Sequence, residues 1–457
     1  MTGGNPTSPP VAVAAPRRRL ALVAELVQRY LDEILAEHAD VTDGALADYI
    51  PELTRVDPSK FGLALELTDG FAYESGDART QFTIQSISKP FTYALALDRI
   101  GHDAVDRKIG VEPSGEPFNE ISVDDRTKTP KNPMINAGAI AAVSLIPAAD
   151  PQERFAQILD FYSACAGRPL DVDEDVYRSE KASNSRNRAI AYMLQSFGVL
   201  DDDPDDVLDV YVRQCAIRVT SRDLAEMAST LARGGVHPAT GRRVTSAAAV
   251  QRTLSVMMTC GMYDTTGDWV TSVGMPAKSG VGGGILAVLP GQLGIGVYSP
   301  LLDENGNSVR GGRVCRTLSA RLGLHFLSVT RESRSIIRAT RDVAPRVRVY
   351  ELHGDLLFAG AEQTLRTVEN DRADVDVAIL EVSKVDDIND TARAMLAGMR
   401  ESLTAVGKEG YVVDPDRRVI PTDGRSAGAV VFGTVEDAIA AARDHVEIQA
   451  GSANRVG

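Results

Sequence analysis

The chain has 457 residues, 44% of them apolar, and a formal net charge of −14. That length exceeds one ordinary domain, and that apolar content excludes global disorder. The acidic balance argues against nucleic acid or an anionic membrane surface as the main partner.

The first residues are rich in Pro and Gly and reach Pro16 before Arg17, Arg18 and Arg19. A secretory leader would place its charge ahead of an apolar stretch and a small-residue cleavage site. Residues 1–18 therefore read as a flexible tail, and a cytoplasmic protein is expected. Leu20, Val23, Val27, Leu31, Ile34 and Leu35 recur at helical spacing, which predicts a first helix to about Ala39. Phe61–Leu67 and Phe71–Tyr73 flank Asp69-Gly70 and read as a hairpin. A long, mostly helical stretch follows from Ser86 to about Thr259, including Asn136–Ile146, Arg186–Phe197 and Ser221–Arg233. Ile285–Leu289 and Leu293–Ser299 read as two strands, and Gly311–Leu322 as a closing helix. Strands, helices, then strands again suggest a mixed α/β unit, residues 19–330, whose ends meet in one antiparallel sheet.

Residues 331–346 are charge-rich and read as a linker. Beyond them comes a small α/β unit, residues 347–450, before a tail, 451–457. Its predicted order is strands Val347–Leu352 and Leu356–Phe358, helix Ala361–Val368, strand Val375–Val382 and helix Asp390–Val406. Strands Gly410–Val413 and Ala429–Val431 and helix Val435–Val446 complete it.

Cys165, Cys215, Cys260 and Cys315 are scattered without a C-x-x-C spacing, and the six histidines form no pair or cluster. Buried packing in a reduced compartment is expected for the thiols, and no zinc site. No apolar run approaches the roughly 20 residues of a membrane helix.

Chemistry concentrates in Gln85-Ser86-Ile87-Ser88-Lys89-Pro90, at the head of an apolar helical pattern. Ser86 and Lys89, three apart, share a helix face, whereas Ser88 points elsewhere. The helix N-terminus favours a developing alkoxide, and a lysine becomes a base when burial or a second cation lowers its pKa. Lys278-Ser279-Gly280, ahead of a strand, offers that cation; S-x-x-K with K-T-G marks penicillin-binding proteins and class A β-lactamases. The glycines after it suit a close approach of backbone to ligand, so the Ser86 and Val281 N–H groups read as oxyanion donors. Asn136, Glu180, Asn187, Tyr211 and Tyr263 are polar groups in apolar contexts. Each also has an ordinary reading as helix cap, surface charge or amphipathic core.

Residues about 25–325 resemble the bacterial glutaminases of the serine-dependent, β-lactamase-like fold. The resemblance is carried by Asp48-Tyr49-Ile50-Pro51, Gly76-Asp77, Gln85 to Lys89, Glu112-Pro113-Ser114-Gly115 and Pro117-Phe118-Asn119. It continues through Asn132-Pro133, Ile135 to Ala139, Ser179-Glu180, Asn187, Gly261-Met262-Tyr263 and Pro276 to Gly284. It implies a catalytic domain with a helical subdomain and hydrolysis of L-glutamine to L-glutamate and ammonia. It also implies substrate contacts from Ser86, Asn136, Glu180, Asn187, Tyr211, Tyr263 and Val281. Ser86, Lys89, Tyr211 and Lys278 are the expected catalytic set, with Tyr211 the first-choice tyrosine. No cofactor is implied, and a homo-oligomer, dimer or tetramer, is expected. A β-lactamase or peptidase on the same fold is the rival enzyme reading, and a catalytically silent sensor the rival of another class.

The C-terminal unit resembles STAS domains through Val347 to Phe358, Val375 to Val382 and Ile388-Asn389-Asp390-Thr391. The usual Asp-Ser-Ser/Thr-Gly is replaced by Asn389-Asp390-Thr391-Ala392. Asp390 is the expected negative N-cap, and a phosphorylation switch is not expected.

Overall fold

A hairpin of β1 (Gly62–Leu67) and β2 (Ala72–Gly76) turns at Asp69-Gly70, where Gly70 takes φ +89°. The structure, a computed structural model, describes residues 23–48, 50–114, 123–124, 126–327, 336–417 and 430–453. Leu20, Tyr49, Gly115, Pro117, Phe118, Asn119, Ala429 and the whole of the expected N-terminal tail lie outside them. Two short strands, β3 (Phe82–Thr83) and β4 (Arg218–Val219), pair with one another. After the helices come β5 (Ala277–Gly280), β6 (Gly284–Leu289) and β7 (Leu293–Tyr298). These close an antiparallel sheet in the order β2-β1-β7-β6-β5, so segments from both ends of the unit meet in it.

Both faces of this sheet are buried, and alternate side chains serve different cores. Ile285, Ala287 and Leu289 join Leu63, Leu65, Ile295 and Val297 under the helices Val23–Glu37 and Val309–Leu322. Leu286 and Val288 point the other way, into a helical core with Phe91, Ile140, Tyr162 and Leu208. The helix Ser221–Ala232 lies directly on that second face. A Cβ at Gly296 would stand 2.1 Å from the Ser221 carbonyl oxygen, so only glycine permits the approach. Thr220 and Asp223 form a capping box at its start.

The C-terminal sheet runs β12-β11-β10-β9-β8, with β8 (Ile337–Ala344), β9 (Val347–Leu356), β10 (Val377–Ile388), β11 (Glu409–Val413) and β12 (Val430–Phe432). β9 to β12 are parallel and β8 is antiparallel. Three sequence expectations change here. Much of the supposed linker is β8. An edge strand exposes one face and tolerates charge, and Arg341–Glu351 (2.8 Å) and Arg348–Asp342 (2.6 Å) pair across the ladder. Leu356–Phe358 is no separate strand: β9 continues through Gly354, at φ +80°, to Leu356, and Phe358 opens the helix Phe358–Asn370. The last helix runs to Ala453, beyond the expected start of the tail. Among the described residues no helix is long and apolar enough to cross a membrane.

The two sheets share one core. Leu31, Leu63, Leu365 and Leu396 belong to a single buried apolar cluster. Polar contacts fix the same boundary. The Tyr73 hydroxyl donates to Glu362, which is fully buried. Arg366 donates to Glu362 (3.0 Å) and to Asp69, and lies 4.5 Å from the Phe71 ring centroid. Asn389, not Asp390, caps the helix Asp390–Thr404, accepting from the Ala392 N–H at 2.8 Å. Its Nδ2 donates to the Leu322 carbonyl (3.1 Å) at the end of the helix Val309–Leu322, and the Thr391 hydroxyl donates to the Arg321 carbonyl. The Glu362→Ala variant removes the acceptor shared by the buried Tyr73 hydroxyl and the partly buried Arg366 guanidinium, so a loss of about 1.5–3 kcal/mol is expected. Calorimetry should show one cooperative transition at lowered temperature; an unchanged melting temperature would mean that this network contributes nothing.

Candidate active site

Ser86 sits in a one-turn 3₁₀ segment, Gln85–Ile87, that runs straight into the helix Ser88–Ile100. The turn is sharp because Gln85 takes φ +49°, a left-handed conformation uncommon for a residue with a Cβ. On the other side the chain after β5 folds close over it. A Cβ at Gly282 would lie 2.6 Å from the Thr83 carbonyl oxygen. β5 ends its ladder at Gly280–Gly284, so Val281 lies in the turn beyond, nearly buried.

Ser86, Asn136, Glu180, Asn187 and Tyr211 line one cavity of about 300 Å³. Lys89 is wholly buried next to it, its Nζ donating to Asn136 Oδ1 (2.7 Å) and the Met134 carbonyl (3.2 Å). Burial pulls its pKa down to about 8, opposed in part by the charge of Glu180. Lys278 is also wholly buried, and burial together with the positive charge of Lys89 holds it well below the ordinary lysine range. Its Nζ donates to the Ser279 carbonyl (2.7 Å) and stands 4.1 Å from the Tyr263 ring centroid. Glu180 is 8% exposed and its Oε2 has no partner; burial pushes its pKa up to about 7, against a hydrogen bond from Gln85 and the charge of Lys89.

The tyrosines are placed differently from expectation. Tyr211 donates to Asn136 Oδ1 (3.3 Å), on the substrate-cavity side. Tyr263 hydrogen-bonds Ser86, donates to the Ser279 carbonyl (3.1 Å) and borders a neighbouring cavity of about 480 Å³. The tyrosine beside Ser86 and Lys278 is therefore Tyr263. Ser88 does point elsewhere: it is fully buried and accepts from Gln214 Nε2 at 3.3 Å. Sequence reasoning missed Gln85, Asn184, Arg186 and Cys215 as cavity residues. Two of them had a signal in spacing: Cys215 lies one helical turn after Tyr211, and Asn184 one turn after Glu180.

Residues 44–327 match the family model for glutaminases. The chain belongs to the glutaminase family. It is 50% identical over 364 residues to Glutaminase 1 of Bradyrhizobium diazoefficiens, covering 79% of this chain and 58% of that protein. The chain thus spans under two thirds of that relative's length. It is 43% identical to the glutaminase of Corynebacterium glutamicum over 393 residues, 85% of this chain and 94% of that one. The crystal structure of Mglu superposes with a TM-score of 0.66 at 43% identity, over 86% of this chain and 98% of Mglu. The fold is the mixed α/β, β-lactamase-like fold of bacterial glutaminases. The last two matches are too long to end at residue 327, so part of the C-terminal unit is shared as well.

Gly282→Ala should force the turn after β5 away from the Ser86 turn and lower kcat, with a stability loss of about 1–3 kcal/mol. Gly312→Ala is the control, because the nearest atom to its Cβ would be 3.6 Å away, at the end of the Arg316 side chain. Ammonia-release assays and thermal melts of both should separate crowding at the site from the general effect of an added methyl group.

Proposed function

We propose that the protein hydrolyses L-glutamine to L-glutamate and ammonia through a γ-glutamyl ester on Ser86. The observation that carries this reading is the buried Glu180 carboxylate, its Oε2 without a partner, across one small cavity from a serine beside two depressed lysines. A buried carboxylate with one oxygen unmet calls for a cationic donor, and the α-ammonium of a free amino acid supplies it.

Neutral Lys89 takes the Ser86 hydroxyl proton as Oγ attacks the side-chain amide carbon. The Ser86 and Val281 N–H groups receive the oxyanion. The C–N bond then breaks and ammonia leaves with a proton from Tyr263 or Lys89. Burial raises the Tyr263 phenol above its ordinary range, which keeps it a proton donor at neutral pH. Lys278 stays neutral beside it, because burial and the charge that Lys89 gains both oppose its protonation. Water then attacks the ester, returning a proton to Ser86 and releasing glutamate. Asn136, Asn187 and Tyr211 bind the amino acid. On this reading the enzyme is a cytoplasmic homo-oligomer, dimer or tetramer. The C-terminal unit is STAS-like, supported by its parallel strands, antiparallel edge and intervening helices.

Ser86→Ala should abolish ammonia release from glutamine, and Ser88→Ala should leave a folded enzyme with measurable activity. Penicillin hydrolysis by the wild type is the control for the rival chemistry. The reverse pattern of activities would refute Ser86 as nucleophile.

The pH dependence follows from two groups. Lys89 is the base only when neutral, so kcat/KM should climb with pH and level off above about 8. Glu180 binds the ammonium only when ionised, so the fall should steepen below about 7. A profile flat from pH 6 to 9 would remove both assignments.

A further inference from the structure

We infer that Asn184 is a further substrate contact, holding the α-carboxylate of the amino acid at the N-terminus of the helix Ser185–Ser196. This rests on the glutaminase reading and adds a residue to it. Asn184 lies at the junction of two helices, Glu174–Ser183 and Ser185–Ser196, which carry Glu180 and Asn187. Asparagine at such a position ordinarily turns back to cap the next helix, accepting from its free N–H groups. Here it does not: the side chain makes no capping hydrogen bond. It is 9% exposed, lines the cavity with Ser86 and Glu180, and has no side-chain partner among the described residues. An amide that opens onto a cavity without a protein partner is left for a ligand or water to satisfy.

The chemistry of the surroundings selects the ligand group. The helix end offers the positive pole of its dipole and unused backbone donors. Asn187 accepts from Asn136 Nδ2 (2.9 Å), which leaves its own amide NH₂ to donate into the cavity. The Arg186 guanidinium lines the same wall. Donors therefore gather around Asn184, while the carboxylate acceptor, Glu180, lies one helical turn earlier. A zwitterion fits with its ammonium on Glu180 and its carboxylate on this cluster. Asn184 also borders a second cavity of about 390 Å³. Its cations are already paired, in Lys181–Asp209, Arg188–Asp205 (3.1 Å) and Arg213–Glu174 (3.0 Å), and Asp206 adds negative charge, so a carboxylate is better received on the substrate side.

Steady-state kinetics of the full chain test the assignment. Asn184→Ala should raise KM for L-glutamine about tenfold with kcat within twofold and an unchanged melting temperature. Asn184→Asp should raise KM further, by repelling the carboxylate. Asn184→Ser, which restores a short donor, should recover part of the loss and serves if the alanine variant folds poorly. L-glutamine α-amide, which has no carboxylate, should inhibit the wild type and Asn184→Asp with similar constants. An aspartate variant that binds glutamine as well as the wild type would place the ammonium there and overturn the assignment. So would equal losses for glutamine and its α-amide, or a fall in kcat alone. Wild-type enzyme that releases no ammonia from glutamine would instead overturn the glutaminase reading itself.

Discussion

Two lysine amines held entirely out of water are the constraint around which this protein is arranged. Moving a lysine from water into an apolar interior is strongly unfavourable for its charged form, so the interior selects the neutral amine. Lys89 and Lys278 reach that state from different elements, a helix start and an edge strand. Bringing them together requires the sheet and the helical layer to meet with no water between. The alternating side chains of β6 and the bare glycines of β7 achieve this. The same desolvation raises the Glu180 carboxyl, so acid and base are set by a single environment acting on opposite charges.

What the sequence made legible follows from how physical signals are written in it. Strands buried on both faces appear as unbroken apolar runs, and β6 and β7 were visible as such. The Ser86–Lys89 spacing needs only helical periodicity to be read. β8 was hidden because an edge strand resembles a charged linker when its pairing partner is unknown. The left-handed turn at Gln85 left no trace, since glutamine carries no preference for that conformation.

The tyrosines and Asn184 show a second kind of limit. Tyr211 and Tyr263 both stand in apolar contexts, and only the backbone path decides which ring lies over Lys278. Tyr263 takes φ +52° at the start of a short turn, which throws its ring back toward β5. Asn184 sits where a cap is expected, so its ordinary role concealed the fact that its side chain is not used for capping.

The Asn389 side chain joins the carbonyl end of one helix to the amide end of another, across the boundary between two sheets. It works as a splice: one amide closes two open ends, and the head-to-tail order sets opposite dipole poles against each other. Register between the units is then written in this joint and in the shared core. A single substitution at Asn389 would therefore open both helix ends at once and leave the shared core to hold the two sheets together.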